Sequence, residues 1–285
     1  SASAIDENSA GAIIGDLTTT DVDAGDSHTY TLSGTDAASF EVVNGQLKLI
    51  SSASGNFETK SSYSVTVTTT DAGGLTSDQS FTVTINDIND APVVANAITD
   101  QSQNEDAHFH FTIPTSTFSD EDGDTLTYSV TLSDDSALPS WLSFDADTKI
   151  LMGTPLNDDV GSIEVKVTAS DGTVSTTDTF TLTVVNTNDD PTALTLSASA
   201  IDENTAGGEL GDLTTTDVDT GDTHTYTLSG ADKDSFEVVG GKLKFISSVS
   251  PDFETKSTYA VTVTTTDAAG SALAQSFSVT INDVN

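Results

Sequence analysis

Phe81–Pro92 reads FTVTINDINDAP, a stretch that contains both a strand pattern and its abrupt end. Apolar residues alternate with threonine from Phe81 to Ile85, which is the period of a half-buried β-strand. The residues before the proline then carry side-chain oxygens: Asn86, Asp87, Asn89 and Asp90. Similar endings recur as VNTNDDP at Val185–Pro191 and INDVN at Ile281–Asn285. A strand that ends in clustered acidic side chains therefore occurs three times in the chain.

The chain contains an internal repeat with an offset of 196 residues. Ser1–Asn89 aligns without a gap to Ser197–Asn285, with 65 identities in 89 positions. A third unit of similar length lies between the two copies and ends on the same kind of acidic, proline-terminated tail. Repetition at this spacing is typical of tandem domain arrays. We predict three domains, at residues 1–90, 91–190 and 191–285.

The composition excludes several classes of function. The chain has 285 residues and a formal net charge of -37, with 45 acidic residues against 8 lysines and no arginine. Such a field repels nucleic acid and anionic membranes and attracts cations. No segment is long and apolar enough to enter a membrane, and there are no cysteines for disulfides or thiolate metal sites. We therefore expect neither nucleic-acid binding nor direct membrane insertion.

Each unit has the pattern of an antiparallel β-protein. Tyr63, Val65 and Val67 alternate with serine and threonine, and no segment has helical spacing over three turns. Asn44-Gly45, between FEVV and QLKLI, predicts a two-residue hairpin, since both central positions of that turn favour positive φ. We predict an all-β fold of three tandem seven-stranded Greek-key, Ig-like sandwiches arranged as an extended rod.

The acidic residues fall at predicted strand ends and turns, where they would bind a hard cation. In the first unit the candidates are Glu7, Asp21, Asp23, Asn56, Glu58, Asp71, Asp87, Asn89 and Asp90. The third unit repeats the pattern at Glu203, Asp217, Asp219, Asp252, Glu254, Asp267 and Asp283, with Asn285. Carboxylates packed closely raise one another's pKa unless a cation neutralises them. Calcium accepts six to eight oxygen ligands in irregular geometry, whereas zinc and copper favour histidine or thiolate.

These motifs carry a resemblance to a known family. The set of Glu7, Asp21-x-Asp23, Glu58, TTTDAGG and DINDAP resembles a bacterial cadherin-like repeat over nearly all of the first and third units. The middle unit, with FSDEDGDTLTY and PSWLSFDADTKILMGTP, resembles the dystroglycan-type cadherin-like domain. The resemblance implies calcium ions between consecutive domains.

Carried over residue by residue, the resemblance implies two junction sites. The first would use Glu7, Glu58, Asp87, Asn89, Asp90, Asp120, Asp122 and Asp171. The second would use Glu105, Asn188, Asp189, Asp217, Asp219 and Asp267, with Asn186 replacing the leading aspartate of the linker. The middle unit lacks a D-x-E motif, and Asp158 or Asp159 is the candidate substitute.

The resemblance implies a non-enzymatic extracellular role. We expect a calcium-stiffened extender segment of a secreted or cell-surface bacterial adhesin, monomeric in isolation, in contact with neighbouring repeats of its own chain. A partner polysaccharide or second adhesin is compatible with that role. The alternative is a calcium-dependent carbohydrate-binding module, because the dystroglycan-type repeat is associated with polysaccharide recognition. Aromatic residues make up 6% of the chain and mostly follow the core pattern, which disfavours this alternative.

Overall fold

The protein is all-β in a computed structural model that describes residues 4–23 and 25–284. Within this described part there is no α-helix, and the three helical segments are single 3-10 turns at Ala37–Ser39, Asn157–Asp159 and Lys233–Ser235. Consequently no helix is long and apolar enough to cross a membrane in the same residues. The predicted fold class is confirmed.

Contacts between residues divide the chain into two compact units. The first consists of the described residues of Ser1–Ile98, Ile113–Val130 and Lys166–Thr179. The second consists of those of Thr99–Thr112, Thr131–Val165 and Phe180–Asn285. The boundaries of the predicted middle repeat differ from those of both units, so the three domain ranges stay a prediction.

The described residues of the first repeat form seven strands, the predicted number. They are β1 (Ala4–Asp6), β2 (Ile13–Asp16), β3 (Thr29–Ser33), β4 (Phe40–Val43), β5 (Gln46–Leu49), β6 (Ser62–Thr70) and β7 (Thr76–Asn86). One sheet has the order β1-β7-β6-β3 and the other β2-β5-β4, with β1 parallel to β7. The core between them includes Leu47, Leu49, Val65 and Val83, all nearly fully buried. Alternation of valine and threonine along β6 and β7 thus directs one face of the sheet inward.

The middle repeat contributes nine strands. They are β8 (Val93–Val94), β9 (Gln101–Asn104), β10 (Phe109–Thr112), β11 (Phe118–Ser119), β12 (Thr127–Leu132), β13 (Leu142–Asp145), β14 (Ile150–Gly153), β15 (Gly161–Ser170) and β16 (Ser175–Val185). In the first compact unit β8 pairs antiparallel with β11. In the second unit β10, β14 and β13 form an antiparallel sheet, and β9 runs parallel to the end of β16.

In the third repeat, residues 191–284 form eight strands rather than the predicted seven. They are β17 (Ala193–Leu196), β18 (Ala200–Asp202), β19 (Glu209–Thr216), β20 (Thr225–Ser229), β21 (Phe236–Val239), β22 (Lys242–Phe245), β23 (Thr258–Thr266) and β24 (Ala272–Asn282). Its sheets have the orders β17-β19-β22-β21 and β18-β24-β23-β20. The added strand is β17, which forms because Leu194 packs into the core while Thr192 donates its N–H to Thr216.

The predicted hairpin at Asn44-Gly45 is confirmed. Both residues have positive φ, 52° and 78°, between the antiparallel strands β4 and β5. The third repeat makes the same turn with Gly240 and Gly241. Glycine suits these positions because it lacks the Cβ that disfavours the left-handed region.

Candidate metal centres

The first candidate centre, which we call centre 1, consists of Glu7, Glu58, Asp87 and Asp122. Each offers a carboxylate oxygen, and these four oxygens all lie within 4.8 Å of one another. Parallel pairing of β1 with β7, which places Asp6 opposite Asn86, brings the next residue of each strand to the same sheet end. All four residues belong to the first compact unit, although Asp122 comes from the predicted middle repeat.

Glu7 is held in place as a carboxylate at the base of centre 1. Its side chain is buried, and its two oxygens accept the backbone N–H groups of Phe57 at 2.9 Å and Ile88 at 2.8 Å. These two hydrogen bonds hold the pKa of Glu7 below its ordinary value. The residue therefore stays ionised and keeps its negative charge in the centre.

The other carboxylates of centre 1 repel one another. Desolvation, followed by the charges of Asp122 and Glu7, raises the pKa of Asp87. The backbone N–H of Glu58 lowers the pKa of that side chain, but desolvation and the neighbouring carboxylates raise it overall. Beside centre 1, the pKa of Asp90 is raised first by desolvation, although Asn8 donates to its carboxylate at 3.1 Å. The protein thus concentrates negative charge at centre 1.

Two carboxylate oxygens, one in centre 1 and one beside it, have no hydrogen-bond partner. They are Oδ2 of Asp120 and Oδ1 of Asp122, and both atoms are buried. Asp120 and Asp122 form a further close set of carboxylates with Asp124. A buried acceptor without a donor is costly, and a bound cation would satisfy it.

The first linker, Asp87–Pro92, donates hydrogen bonds to acidic residues in and beside centre 1. Asp90 donates its backbone N–H to Asp122 Oδ2 at 2.7 Å, and Asn89 Nδ2 donates to Asp171 Oδ2 at 3.0 Å. The bond from Asn89 is the main cause of the lowered pKa of Asp171. Asn56 caps the next turn through Thr59 N–H and donates to Glu121 Oε1 at 2.7 Å. The predicted ligands Asn89, Asp90, Asp120 and Asp171 thus lie beside centre 1, and their role as ligands stays a prediction.

The second candidate centre, centre 2, lies in the second compact unit and consists of Glu105, Asp189 and Asp219. Their oxygens lie within 4.8 Å of one another. Glu105 is 2% exposed; its Oε1 accepts the N–H of Thr187 at 2.7 Å, and its Oε2 is buried without a partner. Parallel pairing of Asn104 with Val185 places Glu105 beside the linker. This is the same construction that positions Glu7.

The second linker repeats the contacts of the first. Asp189 donates its N–H to Asp219 Oδ2 at 2.7 Å, and Asn188 Nδ2 donates to Asp267 Oδ2 at 3.0 Å. That second bond is the main cause of the lowered pKa of Asp267. Asn186 Nδ2 donates to Asp219 Oδ1 at 2.9 Å, so the asparagine that replaces the leading aspartate satisfies one oxygen of Asp219 and adds no negative charge to this site.

Asn157, the neighbour of the suggested Asp158 and Asp159, contacts the second linker, and the suggested ligand stays a prediction. Its Nδ2 donates to Asp189 Oδ2 at 2.6 Å. The carboxylate of Asp159 instead accepts the N–H of Leu156. Asp158 lines an open cavity of about 600 Å³ together with Asn157, Asn188 and Asp219. The 3-10 turn at Asn157–Asp159, rather than a D-x-E motif, places the side chain of Asn157 against Asp189.

Asp217 lies next to centre 2 but has a different partner. It forms a close set with Asp222 and His224, and His224 Nε2 is 3.0 Å from its Oδ2. This contact is the main cause of the lowered pKa of Asp217. Asp222 Oδ2 is buried without a partner. Sequence reasoning missed Asp222 and His224, as well as Asp26, Glu121 and Asp124, although DEDGD did signal an acidic turn.

The remaining predicted ligands lie outside both centres. Asp21 gathers with Asp26 and Asp71, and it accepts the N–H of Asp23 at 2.9 Å. In the third repeat, Glu203 accepts the N–H groups of Phe253 at 3.1 Å and Val284 at 3.0 Å. Asp252 caps the next turn through Thr255, as Asn56 does in the first copy. Glu203, Glu254 and Asp283 correspond to Glu7, Glu58 and Asp87 and form an incomplete copy of centre 1. Asn285 lies outside the described residues.

Tandem β-sandwiches with carboxylates gathered where β7 and β16 end define a cadherin-like class of fold. The chain is similar to the structure of protocadherin gamma B7 extracellular cadherin domains 1–4, with a TM-score of 0.67, 22% identity and coverage of 98% of this chain and 73% of that one. It is similar to mouse cadherin-23 EC22–24, with a TM-score of 0.66, 16% identity and coverage of 99% and 95%.

The chain is also similar to the protocadherin gamma B4 extracellular domain, with a TM-score of 0.64 and 22% identity, and it spans 99% of its own length but 48% of that protein. Residues 91–185 match the family model described as "Putative Ig domain". No curated protein matches the chain. The comparisons establish the cadherin-like fold.

Proposed function

We propose that the chain is a calcium-binding, calcium-stiffened segment of an extracellular adhesion protein of the bacterial adhesin type. The observation that carries this proposal is centre 1, where four carboxylates converge on one point and neighbouring buried oxygens lack donors. Carboxylates, asparagine and backbone oxygens are the donors that calcium uses. Bound calcium would neutralise the mutual repulsion and join the first repeat to the linker and the acidic turn at Asp120–Asp124.

The role outside the cell rests on the cadherin-like fold together with these centres. The similar protocadherin structure consists of extracellular cadherin domains. We therefore propose a non-enzymatic segment that contacts neighbouring repeats of its own chain and holds an adhesive part at a distance from the cell surface. Among the exposed large apolar residues of the described chain Phe253 is the single aromatic, so the carbohydrate-binding alternative gains no support.

Calorimetric titration tests calcium binding directly. We expect calcium to bind the parent chain with release of heat or protons, and Glu58→Gln to weaken the binding at centre 1. The matched control is Glu254→Gln, the same change in the incomplete third-repeat copy, which should leave the binding at centre 1 unchanged. Equal titrations for parent and Glu58→Gln, or no binding by either, would contradict the proposal.

A further inference from the structure

The two centres are built on the same linker frame. In centre 1 the linker donates the backbone N–H of Ile88 to the buried Glu7 at 2.8 Å. In centre 2 it donates the backbone N–H of Thr187 to the buried Glu105 at 2.7 Å. The two linkers can therefore be compared position by position, and they first differ at the residue just before each donor.

Glu105 marks centre 2 as a cation site independently of the number of acidic residues there. The residue is 2% exposed, and its Oε2 is buried without a hydrogen-bond partner. A carboxylate oxygen of Glu105 also lies within 4.8 Å of one from Asp189 and one from Asp219. A buried acceptor without a donor is costly, so a cation bound among these three carboxylates would supply the partner that Oε2 lacks.

The residue before each donor differs in charge between the linkers. In centre 1 it is Asp87, whose carboxylate belongs to the converging set. In centre 2 it is Asn186, whose Nδ2 donates to Asp219 Oδ1 at 2.9 Å. A cation that took this oxygen of Asp219 as a ligand would first have to displace the hydrogen bond. The amide therefore presents a donor where the ion needs an acceptor.

The turn that contacts the linker differs in the same way. Centre 1 receives the carboxylate of Glu58. The second linker instead receives the amide of Asn157, whose Nδ2 donates to Asp189 Oδ2 at 2.6 Å. Centre 1 thus gathers four carboxylates, whereas centre 2 gathers three, and two of those three accept hydrogen bonds from asparagine side chains.

We propose that Asn157 and Asn186 set the calcium affinity of centre 2 below that of centre 1, so that the chain has a partly loaded state with calcium in centre 1 alone. This inference rests on the proposed function, because it takes calcium as the ion of both centres. The affinity of a calcium site depends on the number of charged ligands. The two amides also stabilise the empty form of centre 2 through hydrogen bonds that the ion must replace. As the calcium concentration falls, centre 2 should therefore empty first.

A calcium titration of the full, isotope-labelled chain, followed by amide NMR, measures the two centres separately. The N–H of Ile88 reports on centre 1 and that of Thr187 on centre 2, because each is bonded to the glutamate of its centre. We expect both signals to shift saturably. The midpoint for Thr187 should lie at a free calcium concentration about tenfold higher than that for Ile88.

Residue exchanges between the linkers test the assignment to the amides. Asn186→Asp should lower the midpoint of Thr187 about tenfold, and Asn157→Asp should lower it in the same direction. The double variant Asp87→Asn, Asn186→Asp should reverse the order in which the centres fill. The control Asn44→Asp adds one negative charge at an exposed hairpin turn outside both centres, and it should leave both midpoints unchanged.

The outcomes separate this inference from the proposed function. If neither signal shifts with calcium, the proposed function fails and this inference fails with it. If both signals shift but with equal midpoints, or Thr187 shifts first, the chain binds calcium and this inference alone is wrong. A midpoint of Thr187 that neither Asn186→Asp nor Asn157→Asp lowers would show that the amides do not set the affinity of centre 2.

Discussion

At the scale of single residues, the effect of Asp87 on stability should depend on whether calcium is bound. Its pKa is raised by desolvation and then by Asp122 and Glu7, so its ionised form is disfavoured in the folded state. A calcium ion at centre 1 would reverse the balance, because the same charge would then have a cation beside it. The sign of a substitution at this residue should therefore depend on calcium.

We predict that Asp87→Asn raises the melting temperature in EDTA and lowers it in calcium. In calcium at a hundredfold excess over Kd, one bound ion contributes about 2.7 kcal/mol to the free energy of unfolding, and the variant should lose much of that. Thermal scans of parent and variant in both buffers measure the change. The matched control Asp283→Asn lies in the incomplete copy of the site and should show a smaller calcium-dependent loss. A variant that is destabilised equally in both buffers would contradict the predicted reversal.

The pH dependence in EDTA follows from the same residue. For an acid whose pKa is higher in the folded than in the unfolded state, the destabilisation is complete above the folded pKa. It decreases as the pH falls through that value and vanishes below the ordinary value of 3.8. We predict that the difference in melting temperature between Asp87→Asn and the parent is largest near pH 7 and diminishes toward pH 4. Scans at stepped pH measure this, and a difference that grows on acidification would show that the sign is wrong.

At the scale of single elements, the β4–β5 hairpin depends on a left-handed turn. Gly45 has a φ of 78°, and a Cβ there would meet no neighbouring atom, so a substitution is strained by backbone conformation alone. We predict that Gly45→Ala lowers the free energy of unfolding by roughly 1–2 kcal/mol. Calorimetry of the unfolding transition measures the loss.

Gly73→Ala is the matched control for the hairpin. The third repeat already has alanine at the equivalent position, Ala269, and the nearest atom to an added Cβ is the Asp71 carboxylate at 3.3 Å. This variant should change stability little. If both alanine variants behave alike, the turn conformation is not the cause.

Sequence patterns predicted the long strands and the gathering of carboxylates for identifiable physical reasons. Alternation along β6 and β7 is set by burial of one sheet face, and the acidic tail follows wherever such a strand ends. The alternation pattern did not predict β17, because the four residues ALTL are too few to distinguish a strand from a linker. It also missed Asn157, since an amide in a 3-10 turn has no spacing motif.

At the scale of the whole molecule, calcium should control how freely the repeats move in solution. Without calcium the carboxylates of centres 1 and 2 repel, whereas each sandwich keeps its own apolar core. The linkers at Ala91-Pro92 and Asp190-Pro191 would then be the points of flexibility.

We predict that small-angle scattering shows a defined elongated particle in calcium and a broader distance distribution in EDTA. A compact globule of this length would have a radius of gyration of about 19 Å, and the calcium form should exceed it. The double variant Asp87→Ala, Asp120→Ala should remain flexible in calcium. A compact particle in calcium, or a double variant that scatters like the parent, would show that the acidic linker is only a solvated connection.

The parallel pairing of β1 with β7 and of β18 with β24 has a mechanical consequence. In each repeat these are an early strand and the last strand, so a pull on the two ends of the repeat slides one strand along the other. The hydrogen bonds between them lie across the direction of pull and share the load, so they must break together rather than one at a time. We therefore expect the repeats to resist tension in shear, which would suit the proposed role of a segment that holds an adhesive part at a distance from the cell surface.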